Sequence, residues 1–111
     1  MEKILYDTSS LINAYKQRKQ LAGYTTIFNV VEFPKVLEFK ITVVFPSKSD
    51  YNLAVKLSKD LLRIGEPIPA VDVMVAAVAL NRGMKLVTSD SHFAAIEEIR
   101  GDFNCSYTND S

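Results

Sequence analysis

The alternation of apolar and polar positions at the start of the chain predicts a short strand followed by a helix. Residues 4–6 are apolar and the run stops at Asp7, as a brief β-strand would. From Leu11 onward apolar residues recur three and four positions apart, which is the spacing of one helical face. A group of cations before Gly23 suits the end of that helix.

The next segment gives a mixed signal. Residues 25–33 could begin as a brief extended stretch, and their apolar positions then fit one helical face. Pro34 disturbs that helix, because proline lacks an N–H and its ring clashes with the preceding turn. Residues 36–39 continue after a kink, and residues 41–45 are rich enough in β-branched and aromatic side chains to predict a strand.

The remainder of the chain is more regular. Residues 49–64 carry a leucine stripe and end at a glycine, residues 70–81 are almost wholly apolar, and residues 85–88 predict another strand. Asp90 opens a further helix, and residues 103–107 predict a last strand. This order predicts an α/β fold, a three-layer α/β/α sandwich around a central, mostly parallel sheet.

Length and composition predict one domain over residues 1–111. The longest apolar run, residues 73–80, falls far short of the roughly 20 residues that cross a bilayer. The first residues lack the pattern of a secretory signal, and a single cysteine, Cys105, fits a reducing compartment. We therefore expect a cytoplasmic protein without membrane contact.

Thirteen basic and thirteen acidic residues give a formal net charge of zero. This balance does not by itself point to nucleic acid. If four carboxylates were neutralised by metal, thirteen positive charges would face nine negative ones. Such a surface permits binding of a polyanion without requiring it.

Four acids stand at positions unlike those of solvated surface residues. Asp7 and Asp90 each follow a predicted strand, so both are expected at the carboxyl edge of a parallel sheet, where ligands bind. Asp72 begins the most apolar helix, and Glu32 is enclosed by apolar neighbours. Ordinary alternatives are that the aspartates cap helices or complement their dipoles, and that Glu32 is an exposed helical residue.

Electrostatics indicates what convergence of these acids would require. Four carboxylates about 6 Å apart, at an effective dielectric near 20, would repel by about 2.8 kcal/mol per pair. Six such pairs would total on the order of 15 kcal/mol. A domain that is stable by only about 5–15 kcal/mol could not carry this repulsion unrelieved. Protons could relieve part of this, but a hard divalent cation, Mg²⁺ or Mn²⁺, does so better. Zinc is disfavoured, because the chain has only His92 and Cys105 to offer it.

Each of the four acids lies in a segment with a characteristic position. The first acid follows strand one, the second lies in a helix, the third begins a buried helix, and the fourth follows a later strand. The segments are ILYDTSSLI at residues 4–12, VEF at 31–33, IPAVDVMVAA at 68–77 and LVTSDSHF at 86–93. Together they resemble the motifs of PIN-domain ribonucleases, and most closely those of the VapC-like toxins of toxin–antitoxin pairs.

The resemblance implies that Asp7, Glu32, Asp72 and Asp90 hold Mg²⁺ or Mn²⁺ and catalyse hydrolysis of RNA, with one or two ions. It also implies an RNA substrate, a small antitoxin protein as a partner and a homodimer. We further expect Thr8, Ser9 and Ser89 to support the metal site, and Lys16, Arg18 and His92 to contact RNA. The simpler alternative is that these six are ordinary capping or surface residues.

Two departures from the family pattern leave alternatives open. Pro34 lies beside Glu32, and the stretch from Glu32 to Asp72 is short, so Glu38 is the alternative second acid. A non-catalytic PIN-fold module that binds RNA or protein is the main rival function. A receiver-like domain usually needs adjacent acids, and a haloacid-dehalogenase-like phosphatase needs aspartates two residues apart; the segment after Asp7 has neither.

Overall fold

Five β-strands and five α-helices make up residues 2–108, the part of the chain that the computed structural model describes. The strands are Ile4–Tyr6 (β1), Ala22–Thr26 (β2), Lys40–Val44 (β3), Lys85–Thr88 (β4) and Cys105–Tyr107 (β5). The helices are Thr8–Lys16 (α1), Ile27–Glu32 (α2), Lys48–Arg63 (α3), Ala70–Arg82 (α4) and Ala94–Ile99 (α5). Two 3-10 helices, Pro34–Glu38 and Ser91–Phe93, complete the order.

The strands form one parallel sheet in the order β3-β2-β1-β4-β5. Leu5 in β1 is opposite Tyr24 on one side and Leu86 on the other. The chain first adds β2 and β3 on one side of β1, and it then crosses to the other side to add β4 and β5. The side on which strands are added therefore changes between β1 and β4. In open α/β sheets ligands bind at such a switch point, beyond the carboxyl ends of the strands.

The sheet is covered on both faces, which confirms the predicted three-layer α/β/α sandwich. On one face Leu5 and Leu86 pack with the buried residues of α3, α4 and α5. On the other face Tyr6 and strand β3 pack against Leu11 of α1 and Val30 of α2. Side chains of a strand point alternately to the two faces, so β1 contributes neighbouring residues to both clusters.

Strand β2 corrects the interpretation of the early segment. The sequence suggested a helix ending before Gly23 and only a brief extended stretch at residues 25–27, whereas the strand begins at Ala22 and Gly23 lies within it. At Gly23 φ is +146°, and a Cβ there would come within 3.0 Å of the Ile4 carbonyl oxygen. The glycine is therefore needed where β2 approaches β1, rather than as a helix stop.

Helices α3 and α4 agree with the prediction, Pro34 acts as expected, and only the start of the last helix differs. Helix α2 ends at Glu32, and Pro34 is the first residue of a 3-10 helix rather than a continuation. Gly83 follows α4 with a left-handed φ of 60°, the usual glycine termination. The segment after Asp90 is a 3-10 turn before α5, so that helix starts four residues later than expected.

A buried ion pair joins the start of α3 to the end of α4. Asp50 is 1% exposed and accepts hydrogen bonds from Arg82 at 2.8 and 2.9 Å, from Asn81 at 2.9 Å and from the Ser47 N–H at 2.8 Å. Burial alone would raise the pKa of Asp50, but the hydrogen bonds and the Arg82 charge outweigh it and lower the pKa. The pair fixes the helix that carries Asp72.

None of the helices described between residues 2 and 108 is both long and apolar enough to cross a membrane.

Candidate active site

Two adjacent central strands deliver the first and last acids of the predicted set. Asp7 directly follows β1, and Asp90 lies two residues beyond the end of β4. The Asp7 N–H donates to the Val87 carbonyl oxygen at 3.1 Å, which extends the pairing of the two strands to the edge of the sheet. Helix α4 brings Asp72, its third residue, to the same edge, where its Oδ2 lies 3.0 Å from Nδ1 of His92.

The Asp7 carboxylate is buried and held by three donors. It is 5% exposed, and its Oδ2 accepts from the Thr88 hydroxyl at 2.8 Å and from the Ser9 hydroxyl at 3.1 Å. Its Oδ1 accepts from the Asn29 amide at the longer distance of 3.4 Å. Asp7 stands at the N-cap position of α1, but its side chain makes no capping hydrogen bond. Because each carboxylate oxygen has two lone-pair sites, Oδ1 is the oxygen left with capacity for another ligand.

Thr88 and Ser9 connect Asp7 to the loop that carries Asp90. The Thr88 hydroxyl also accepts from the Asp90 N–H at 2.9 Å, and the Ser9 hydroxyl accepts from the Ser89 N–H at 3.0 Å. Ser9, one of the predicted supporting residues, therefore contacts both the Asp7 carboxylate and the Ser89 backbone. Ser89 contributes through its backbone N–H and reaches Ser9, whereas Thr88 makes the direct contact with the Asp90 backbone.

Asp72, Asp90 and His92 form a tight cluster. His92 Nδ1 lies 3.0 Å from Asp72 Oδ2 and 3.2 Å from Asp90 Oδ1, and the three ligand atoms lie within 4.8 Å of one another. Asp90 also caps the 3-10 turn, because its Oδ1 accepts from the His92 N–H at 2.9 Å. The capping alternative therefore holds for Asp90, and it leaves the side chain within the cluster.

The charges in this cluster affect one another. Burial raises the pKa of Asp72, the hydrogen bond with His92 opposes that rise, and the negative charges of Asp7 and Asp90 add to it. The pKa of His92 is raised, first by its hydrogen bond to Asp72 and then by the charges of Asp90, Asp72 and Asp7, against slight desolvation. Three aspartates from three parts of the chain thus lie within electrostatic range at one edge of the sheet.

Glu32 is connected to Asp7 through a short hydrogen-bond chain. The Thr8 hydroxyl donates to Glu32 Oε1 at 2.8 Å and accepts from the Asn29 amide at 2.8 Å. Asn29 is completely buried, and its carbonyl oxygen accepts from the Thr26 hydroxyl at 2.7 Å and from the Thr26 N–H at 3.2 Å. Glu32 itself is exposed at the end of α2, so it lies at the rim of the group.

Glu38, the alternative second acid, is placed elsewhere. Its carboxylate accepts from the Tyr15 hydroxyl at 3.4 Å, near the carboxyl end of α1. Lys16 and Arg18 lie at that same end of α1, and both are exposed. A helix rises 1.5 Å per residue, so Lys16 is about 12 Å along the axis from Thr8. The structure therefore brings His92 close to Asp72 and Asp90, whereas Lys16 and Arg18 lie at the far end of α1.

Asn29, Thr26 and Thr88 belong to the site and were missed by the sequence interpretation. Two signals were present in the sequence: Thr26 and Asn29 have the spacing of a capping box, and Thr88 ends a strand directly before the fourth acidic segment. Both were obscured because threonine is common in strands and the segment around residue 29 is mostly apolar.

The donor set fits a hard divalent cation. Carboxylate oxygens are the ligands preferred by Mg²⁺ and Mn²⁺, and Asp7, Asp72 and Asp90 supply them from mutually repelling positions. Glu32 can extend the set from the rim. Burial is the main cause of the raised pKa of Asp72, and a cation at this edge would relieve the repulsion from Asp7 and Asp90 that adds to it.

Comparison with known proteins identifies the fold. No protein-family model matches the sequence, and no curated protein matches it. Structural matches are extensive: a chain of the DNA-bound VapBC from Salmonella typhimurium has a TM-score of 0.76 at 18% identity, over 96% of this chain and 98% of that chain.

Two further solved structures agree. VapBC-5 from Mycobacterium tuberculosis, a member of the VapBC family of toxin–antitoxin systems, has a TM-score of 0.73 at 17% identity, over 96% of this chain and 98% of that chain. VapBC-1 from nontypeable Haemophilus influenzae has a TM-score of 0.74 at 17% identity, over 94% and 96%. Identities this low show the fold alone. The chain has the PIN-like fold of these toxin–antitoxin proteins, so the resemblance seen in the sequence motifs is confirmed at the level of the fold.

Proposed function

We propose that this protein is a divalent-metal-dependent ribonuclease and the toxin of a toxin–antitoxin pair. The observation that carries the proposal is the closeness of Asp72 and Asp90 at the switch point of a PIN-like sheet, with Asp7 hydrogen-bonded to Thr88 beside them. An RNA phosphodiester is itself an anion, and three or four carboxylates would repel it. Substrate binding at this edge therefore requires a cation between the acids and the phosphate.

Asp7, Asp72 and Asp90 hold the cation in this proposal, with Glu32 completing the set from the rim. Mg²⁺ or Mn²⁺, when bound, lowers the pKa of a bound water and neutralises charge developing on the phosphate. The chain's own residues fix the geometry. Thr88 and Ser9 restrain Asp7, while Asn29 and Thr8 restrain Glu32 relative to it. Such restraint matters because a misplacement of about 1 Å can cost 10²-fold in rate.

A protein partner is the second part of the proposal. The similar solved structures described above are of VapBC proteins; the one from Salmonella typhimurium is bound to DNA, and the one from Mycobacterium tuberculosis is described as a member of a family of toxin–antitoxin systems. Tyr51, Val55 and Leu62 expose apolar surface along one face of α3, and Val31 is 73% exposed beside Glu32. Apolar side chains exposed in this way support an antitoxin and a second copy of the chain as partners. Light scattering of the purified chain, alone and with the product of any small neighbouring gene, tests this part.

Cleavage of RNA tests the catalytic part directly. Purified protein is expected to cut a fluorescent RNA in the presence of Mg²⁺ or Mn²⁺, and EDTA is expected to stop the reaction. Asp7→Asn and Asp90→Asn should each lower the rate by orders of magnitude while the circular dichroism spectrum is unchanged. Asp102→Asn is the matched control, because Asp102 is an exposed acid paired with Arg100 outside the cluster.

Equal rates in the Asp7→Asn variant and the parent protein would reject this mechanism. RNA binding without cleavage, with or without metal, would instead favour the rival function, a PIN-fold module that binds RNA or protein.

A further inference from the structure

His92 is held against the acidic cluster by its own turn. Asp90 caps the 3-10 helix Ser91–Phe93 by accepting from the His92 N–H, and Phe93 anchors that turn with a completely buried ring. The imidazole is therefore attached to a fixed backbone. Its Nδ1 lies next to one oxygen of Asp72 and one oxygen of Asp90, at 3.0 and 3.2 Å.

These separations are also those of neighbouring ligands around one cation. Ligands at about 2.1 Å from an octahedral ion are roughly 3.0 Å apart when adjacent and roughly 4.2 Å apart when opposite. The three atoms of the cluster lie within 4.8 Å of one another, so a small inward movement of the side chains is enough to surround an ion. Asp7 has fewer free acceptor sites for an ion, because its Oδ2 already accepts hydrogen bonds from the Ser9 and Thr88 hydroxyls.

We propose that His92 is itself a metal ligand, through Nδ1, beside Asp72 and Asp90. This inference rests on the proposed function, and it changes the chemical character of the site. An all-carboxylate site suits Mg²⁺, whereas imidazole nitrogen favours the later divalent metals over Mg²⁺. The site therefore prefers Mn²⁺ and Co²⁺ to Mg²⁺, and His92 is the origin of that preference.

Metal binding by the His92→Gln variant tests the proposal without an activity measurement. Glutamine keeps a polar side chain and removes the ring nitrogen, and His92 is 51% exposed, so the fold should tolerate it. Isothermal titration should show Mn²⁺ and Co²⁺ affinity falling at least as much as the roughly 10–100-fold lost when an outer-shell partner is removed. Mg²⁺ affinity should change by less than about threefold, because the carboxylate ligands remain.

Two further measurements identify the nitrogen. Mn²⁺ bound to the parent protein should show ¹⁴N modulation in electron spin echo spectra, and the His92→Gln variant should not. Asp72→Asn is the comparison variant, and it should weaken Mg²⁺ and Mn²⁺ binding alike.

The outcomes separate this inference from the proposed function. Equal or tighter Mn²⁺ binding by His92→Gln, or ¹⁴N modulation that persists in that variant, would overturn the role of His92 while the carboxylate site remains. A parent protein that binds none of the three metals would overturn the proposed metal-dependent function itself.

Discussion

Replacing Asp72 by asparagine should stabilise the metal-free protein and destabilise the metal-loaded one. The substitution keeps the shape of the side chain and removes one of the three neighbouring negative charges, those of Asp7, Asp72 and Asp90. Oxygens of Asp72 and Asp90 lie within 4.8 Å of each other, and burial of Asp72 adds a desolvation cost. A site that must hold a cation is expected to be strained when the cation is absent.

The size of the effect follows from the separation of the charges. Two unit charges 4.8 Å apart at an effective dielectric near 20 repel by about 3.5 kcal/mol. Asp90 is 33% exposed, so solvent screens part of this, and His92 offsets another part. We expect a net gain of about 1–2 kcal/mol, or roughly 4–8 °C in melting temperature for a domain of this size. The comparison is made on the alkaline side of neutral pH, because the raised pKa of His92 extends its positive charge to higher pH.

Thermal unfolding in EDTA and in Mn²⁺ measures both halves of this prediction. With ligand at about 100 times its dissociation constant the parent protein gains about 2.7 kcal/mol. Asp72→Asn should lose most of that gain, so the order of the two melting temperatures reverses. Asp102→Asn should shift neither value, since surface substitutions are usually within about 0.5 kcal/mol. A lower melting temperature for Asp72→Asn in EDTA would refute the electrostatic reasoning, because the acids would then not repel one another.

Three more substitutions follow from the structure. Asn29→Ala leaves buried polar partners unsatisfied, so the free energy of unfolding in urea should fall by about 2–3 kcal/mol. RNA cleavage should fall at least tenfold. An unchanged free energy of unfolding would show that the Asn29 amide does not stabilise the site. Asp50→Asn should cost about 3–5 kcal/mol, because Arg82 loses its buried partner. The pKa of Asp50 is lowered in the fold. Its contribution to the free energy of unfolding is therefore present above the ordinary pKa near 4 and is lost as pH falls through the lower folded pKa. The free energy of unfolding should accordingly depend less on acid pH in the variant than in the parent protein. Glu32→Gln should lower cleavage less than Asp7→Asn does, because Glu32 is an exposed rim residue, and equal losses in steady-state assays would contradict this ranking.

The regular helices were predictable because their signals are local. Helix α3 carries a leucine stripe and a capping box, α4 is an almost wholly apolar run, and a glycine follows the end of each helix within two positions. Strand β2 lacks such a signal, because Ala22 and Gly23 have low strand propensity. The strand conformation of these two residues is imposed by pairing with β1 and β3, which their own side chains do not reveal.

The residues of the candidate site also divide into those that the sequence can place and those that it cannot. Asp7, Asp72 and Asp90 could be placed from sequence because each lies at a strand end or a helix start, where topology brings distant segments together. Asn29 and Thr88 could not, since their roles depend on which side chain faces them across the sheet edge. The position of the His92 ring likewise depends on the turn after β4 meeting the start of α4.

The pairing of β1 with β4 sets a time at which the acidic cluster can first exist. Thr88 follows its partner Asp7 by 81 positions. A ribosome adding about 5–20 residues per second needs roughly 4–16 s to span that interval. Until β4 has been made, Asp7 lacks Thr88 and Asp90, and the nascent chain has no assembled cluster. The order of synthesis therefore delays assembly of the candidate site until residues 85–90 have been translated.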